Sequence, residues 1–207
     1  MAHLILVRHG ESEWNAKGLW TGWTDVNLSE NGRVEAKKAG ESLKDIHFDY
    51  AYTSALKRAQ QTLEEIQGVL GINLEPTADK ALNERSYGDF TGKNKWEVKE
   101  QIGEEEFQRI RRSWDYPPAN GESLKMVYER VLPYYQAEIE PKIKEGKNVI
   151  IAAHGNSLRA LIKYLEKISD ESITKLELPT GGLYVYELDQ EGKVTSKEIR
   201  GTNTNTH

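Results

Sequence analysis

Leu4-Ile5-Leu6-Val7-Arg8-His9-Gly10 is a four-residue apolar run that stops at an arginine, a histidine and a glycine. Near the other end of the chain Val149-Ile150-Ile151-Ala152-Ala153 does the same and stops at His154-Gly155-Asn156. Short apolar runs with no polar alternation belong to strands buried on both faces, as in a parallel sheet covered by helices. Residues 49–53 form a weaker third strand that ends at Ser54. Helical spacing fills the intervals. Ala59, Leu63, Ile66 and Leu70 share one face, with Ser54 expected as N-cap and Gly71 as stop. Residues 31–44 are a weaker helix through Val34, Ala39 and Leu43, and residues 157–166 set Leu158, Leu161, Ile162 and Leu165 on one side. Leu124, Val127, Val131, Tyr134, Ile139 and Ile143 mark a longer helical stretch that Pro133 and Pro141 must kink or interrupt. Residues 183–188 and 194–199 flank Asp189-Gln190-Glu191-Gly192 and predict an antiparallel hairpin. The class is therefore α/β: a mostly parallel central sheet with helices on both faces and an antiparallel element.

A chain of 207 residues suits a single domain spanning 1–207. Residues 84–121 hold few strong apolar positions but carry Gly88, Gly92, Gly103, Pro117 and Pro118, and are expected to form an insertion over the sheet, a candidate lid. Residues 201–207 are small and polar, expected as a frayed tail.

Composition narrows the function. The absence of cysteine excludes thiolate zinc sites, iron–sulfur clusters and a cysteine nucleophile. With 28 basic and 33 acidic side chains the net charge is −5, which does not attract nucleic acid or an anionic membrane. An anionic substrate must then be held by local cations. Mean hydropathy is −0.71, no apolar run approaches 18 residues, and Met1-Ala2-His3 leads straight into the first strand without a signal peptide. A cytoplasmic protein is expected. Its oligomeric state, monomer or homo-oligomer, is not written in the sequence.

His9 and His154 each follow a buried strand. In an open α/β sheet ligands bind beyond the carboxyl ends of the strands, so the two imidazoles can meet in one crevice. Singly, each is also compatible with a structural role. Arg8-His9-Gly10-Glu11-Ser12-Glu13-Trp14-Asn15 adds a guanidinium, a hydroxyl and an amide, donors that match phosphate oxygens. Arg58, at the start of the helix after Ser54, joins a guanidinium to helix N-terminal amides, a combination that favours an anion. Lys95, Arg111 and Arg112 add cations from the candidate lid, although Arg111-Arg112 also reads as an exposed helix face. The tryptophans Trp14, Trp20 and Trp23 fit packing of an entrance loop better than base stacking, given the flanking acids.

Residues 6–15 resemble the signature of the histidine phosphatase superfamily. Within it the chain is similar, over nearly its whole length, to the cofactor-dependent phosphoglycerate mutases. Further matching stretches are Thr21-Gly22-Trp23, Tyr52-Thr53-Ser54-Ala55-Leu56-Lys57-Arg58-Ala59, Leu82-Asn83-Glu84-Arg85-Ser86-Tyr87-Gly88, Gly121-Glu122-Ser123-Leu124 and residues 150–160. The resemblance implies that His9 is the nucleophile carrying a phosphoryl group, with Arg8, Arg58 and His154 around that group and Glu84 as general acid and base. It implies that Arg85, Tyr87, Lys95, Arg111 and Arg112 hold the substrate's carboxylate and non-reacting phosphate, and that Ser12, Asn15, Thr21, Gly22, Gly155 and Asn156 complete the pocket. The expected cofactor is 2,3-bisphosphoglycerate as primer, with no metal, and the expected partner is a small phosphorylated acid.

The chain departs from that pattern in places. Trp20 stands where the family usually has Phe, and Thr180-Gly181-Gly182-Leu183 lacks the usual proline, which predicts a looser start to the final hairpin. About two dozen residues found in longer members between Arg112 and Gly121 are absent, as is a tail that closes over the site. Reduced water exclusion is the expected consequence. The competing function is a phosphatase that releases the same phosphohistidine to water.

Overall fold

The protein is described from a computed structural model, for residues 1–201. The expected tail at 202–207 lies outside the described residues. Six strands, β1 (Ala2–Arg8), β2 (Tyr50–Ser54), β3 (Thr77–Asp79), β4 (Val149–Ala153), β5 (Leu183–Leu188) and β6 (Val194–Arg200), form one sheet in the order β3-β2-β4-β1-β5-β6. β1, β4, β2 and β3 run parallel, whereas β5 is antiparallel to both β1 and β6. The α/β class and the final hairpin are as expected. β3, three residues at the sheet edge, has no apolar run to announce it.

β1 explains why its sequence does not alternate. Leu4 and Leu6 enter one core with Ile151, Val127, Val131, Leu158 and Leu161, while Ile5 and Val7 enter the opposite core with Ile150, Leu43, Leu63 and Ile66. Every side chain from Leu4 to Val7 is fully buried. Burial of a Val, Leu or Ile side chain contributes about 1.5–3 kcal/mol, so this strand anchors both layers.

The helices are α1 (Glu13–Ala16), α2 (Glu30–Glu41), α3 (Lys57–Leu70), α4 (Lys95–Ile102), α5 (Glu104–Arg112), α6 (Leu124–Tyr134), α7 (Glu140–Lys144) and α8 (Gly155–Glu166). Ser29 caps α2 through Gly32 N, and Ser123 caps α6 through Met126 N. Ser54 does not cap α3. Leu56 occupies that position without a side-chain bond, and Ser54 Oγ instead accepts from Leu56 N and meets His154 Nε2 at 2.7 Å. The helix does end at Gly71, whose φ of +65° suits glycine. Pro133 sits inside α6, and beyond it Tyr135–Ile139 widens into a π turn before α7, where Pro141 is tolerated in the first turn. The final hairpin starts tightly rather than loosely: Gly181 N donates to Arg8 O, Gly182 O accepts from Arg8 N, and a Cβ on Gly182 would meet Pro179 O at 2.9 Å.

Residues 84–121 hold α4 and α5, which pack on a core of their own. Trp20, Val98 and Phe107 are buried there with Tyr87, Phe90 and Ile102 against them. Among the described residues no helix is long and apolar enough to cross a membrane.

Candidate active site

The carboxyl ends of β1 and β4 are neighbours in register, Arg8 opposite Ala153, so the residues that follow converge. His9 N donates to Ala153 O at 3.0 Å, and the His9 and His154 rings meet edge to face at 4.9 Å between centroids. His9 Nδ1 lies 2.6 Å from Gly10 O. A carbonyl oxygen only accepts, so Nδ1 carries the proton and Nε2 keeps its lone pair. Arg58 Nε donates to that Nε2 at 3.3 Å. Burial, then the cations Arg58 and Arg8, hold the His9 pKa well below the usual histidine value, which keeps the ring neutral.

Arg58 is itself fastened, donating to Thr24 O at 3.0 Å and Gly22 O at 2.7 Å. Gly22 adopts φ +53° to present that carbonyl. Burial lowers the Arg58 pKa to about 10, still cationic at neutral pH. Arg8 donates through Nη1 to Leu178 O, while its Nε has no partner among the described residues. His154 is fully buried and does not line the cleft. Burial and the neighbouring Arg58 also hold its pKa well below the ordinary value.

Glu84 enters from the loop before α4 and is held twice. Its Oε1 accepts from Arg85 N at 2.7 Å and from Asn156 N in the first turn of α8 at 3.2 Å. Its carbonyl accepts from Trp23 Nε1 and Arg130 Nη2. Oε2 makes no hydrogen bond among the described residues, so one carboxylate oxygen is anchored and the other is available. Gly155 lies between Glu84 and Arg8: a Cβ there would be 3.8 Å from Glu84 Oε2 and 3.5 Å from Arg8 Nε.

The cleft above this floor is lined by Arg8, His9, Asn15, Thr21, Gly22, Arg58, Glu84, Tyr87, Lys95, Arg111, Arg112, Gly155 and Asn156 of the residues expected from sequence. Asn156 Nδ2 donates to Tyr87 OH at 3.0 Å, joining α8 to the α4–α5 segment. Burial lowers the Lys95 pKa to about 8, with Arg8 and Arg111 adding repulsion. Arg112 pairs with Glu177.

Besides His154, two expected site residues, Ser12 and Arg85, do not line the cleft. Ser12 is the N-cap of α1: its Oγ accepts from Asn15 N at 3.1 Å and donates to Asn15 Oδ1 at 2.8 Å, so it shapes the loop that presents Asn15. Arg85 is fully buried off the cleft and donates through Nη2 to Ile110 O at 2.6 Å. A cation at the carbonyl-rich last turn of α5 is favoured by the helix dipole. In its place the structure brings Arg159 to the cleft, together with Leu19, Trp20, Trp96, Glu177 and Leu178. Arg159 lies one helical turn after Gly155, a spacing that puts both on one face of α8.

Six cations therefore line the cleft, Arg8, Arg58, Lys95, Arg111, Arg112 and Arg159, against the carboxylates Glu84 and Glu177. Such a field selects a small polyanion inside a chain of net charge −5. A neutral imidazole nitrogen facing a guanidinium at its base is suited to receive a phosphoryl group. The family model for the histidine phosphatase superfamily (branch 1) matches residues 4–198, and the chain belongs to that superfamily. Within it, the chain is 52% identical over 199 residues to a 2,3-bisphosphoglycerate-dependent phosphoglycerate mutase of Parvibaculum lavamentivorans, covering 95% of each chain. It is 54% identical to a phosphoglycerate mutase of Schizosaccharomyces pombe over 95% of this chain and 94% of that one. Among solved structures, Bacillus stearothermophilus YhfR matches with a TM-score of 0.85 at 28% identity, over 99% of this chain and 98% of that one. A mycobacterial glucosyl-3-phosphoglycerate phosphatase, 24% identical, shares the fold with a TM-score of 0.76 over 96% and 97% of the two chains.

Proposed function

We propose that the protein is an isomerase that interconverts 3-phosphoglycerate and 2-phosphoglycerate through a phosphohistidine at His9, primed by 2,3-bisphosphoglycerate, in cytoplasmic glycolysis and gluconeogenesis. The observation that carries this is the His9 ring: Nδ1 bonded to Gly10 O and Nε2 facing Arg58 Nε. Near full-length identity above 50% to phosphoglycerate mutases supports the choice of substrate.

The donor set fits the primer. An unpartnered Arg8 Nε at the cleft and six lining cations suit a ligand with two phosphates and a carboxylate. When bound, 2,3-bisphosphoglycerate supplies the phosphoryl group that His9 carries. Arg58 Nε gives up its contact with Nε2 and turns its charge to the phosphoryl oxygens; Arg8 completes that electrostatic cage, and the buried His154 packs against the His9 ring and holds it in place. The phosphoryl leaves Nε2 for the 2-hydroxyl of 3-phosphoglycerate, whose proton passes to Glu84 Oε2. Nε2 then accepts the 3-phosphoryl group, and Glu84 returns the proton to the 3-oxygen, giving 2-phosphoglycerate. Lys95, Arg111, Arg112 and Tyr87 hold the non-reacting groups, with residues 84–121 acting as the lid of a single domain over 1–207.

Incubation with 2,3-bisphosphoglycerate is expected to leave one phosphoryl group on the peptide containing His9, read by mass spectrometry at alkaline pH. His9→Ala is expected to lose the label and essentially all turnover. A label that survives in His9→Ala contradicts the assignment.

A further inference from the structure

Arg159 is 4% exposed and lines the cleft, yet it makes no ion pair among the described residues. Its Nη1 donates to Asn156 Oδ1 at 3.0 Å and its Nη2 to Ile173 O at 2.7 Å. Its Nε has no partner among the described residues. Burying an ionised group without a counter-charge is costly, and such a group is normally paired or ligand-bound. Burial, then repulsion from Arg112 and Arg85, lowers its pKa to about 10, and Tyr87 and Glu84 offset only part of this. Among the described residues the hydrogen-bond partners of this guanidinium are a main-chain carbonyl and a side-chain amide, and no carboxylate pairs with it directly.

We propose that Arg159 is a substrate-binding residue, whose missing counter-charge is the ligand oxyanion remote from His9, the carboxylate or the phosphate that is not being transferred. The inference rests on the phosphoglycerate reading of the cleft and adds a cation to it. Placement favours the remote end. Arg8 and Arg58 attend His9, whereas Arg159 lies among Asn156, Ile173 and the repelling Arg112, whose own partner Glu177 lines the same cleft. Asn156 links it onward to Tyr87 OH. Arg159 thus acts on ligand affinity and not on the chemistry at Nε2.

Two probes separate the ends of the cleft: orthovanadate, which needs only the phosphoryl cage, and 3-phosphoglycerate, which needs both ends. In Arg159→Gln, which removes the charge and keeps one polar amide donor, the KM for 3-phosphoglycerate is expected to rise about tenfold or more, the loss of one charge-assisted contact. Inhibition by orthovanadate is expected to stay within about twofold, and Arg159→Lys, which keeps the charge but not the fork, to fall between. Equal weakening of both probes would show a merely structural arginine and overturn the proposal, as would an unchanged KM. If Arg159→Gln does not fold, Arg159→Lys decides by the same ratio of the two probes. Wild-type protein that binds orthovanadate but not 3-phosphoglycerate would instead refute the substrate, a distinct outcome.

Discussion

The cleft has a floor and a wall that are built by different means. The floor, His9 and Arg58 with His154 buried behind them, draws on the ends of β1 and β4 and the first turn of α3, and the His9 and Arg58 side chains are locked by carbonyls at Gly10, Gly22 and Thr24. The wall, Lys95, Arg111 and Arg112, comes from α4 and α5, which rest on the small Trp20–Val98–Phe107 core and on ties such as Arg85 to Ile110 O and Arg112 to Glu177. A preorganised floor is suited to stabilising charge as it develops, and cations carried on a separate small core are suited to holding the parts of a ligand that do not react. Changes in the floor should therefore appear in kcat, and changes in the wall in KM.

Glu84 tests the border between them, since it belongs to the wall segment but is tied to α8 through Asn156 N. Glu84→Gln keeps size and shape and removes the proton carrier. A fall in kcat of about 10²–10⁴ with KM little changed is expected from steady-state kinetics. Activity within a few-fold of wild type would make Glu84 structural.

Arg112→Gln probes the wall alone. A charge-assisted bond to ligand contributes about 1.5–3 kcal/mol. The competing Glu177 offsets part of it in the free enzyme, so KM for 3-phosphoglycerate should rise about tenfold while kcat holds. A fall in kcat with KM unchanged would erase the distinction between floor and wall.

The smallest effect is one of pH. Lys95 is charged below its pKa of about 8 in the free protein and neutral above it. Raising the pH through 8 removes a cation, weakens anion binding and raises KM, whereas a bound anion restores the charge. The KM profile of Lys95→Gln should lie higher and lose this alkaline rise. A variant that keeps the wild-type rise would place the titration on another group.

The floor was legible in the sequence because full burial of β1 and β4 on both faces forces continuous apolar runs, and the residues after them are fixed by strand register. The wall was harder to read. Its core draws Trp20 from one segment and Val98 and Phe107 from another, so no single stretch shows a periodic apolar face. Polar residues misled where the backbone claimed them. Ser54 serves His154 instead of capping α3, Ser12 caps α1, and Arg85 answers a carbonyl of α5. Arg159 is hard to single out in the sequence because the apolar stripe dominates α8, although its position one turn after Gly155 is a signal.

In the proposed reaction the phosphoryl group carried by His9 goes to a phosphoglycerate hydroxyl in preference to water. One reaction containing 3-phosphoglycerate and 2,3-bisphosphoglycerate, followed simultaneously for 2-phosphoglycerate and inorganic phosphate, tests it. 2-Phosphoglycerate is expected in large excess, with a small leak of inorganic phosphate. Phosphate equal to or exceeding 2-phosphoglycerate would contradict it and make the protein a phosphatase.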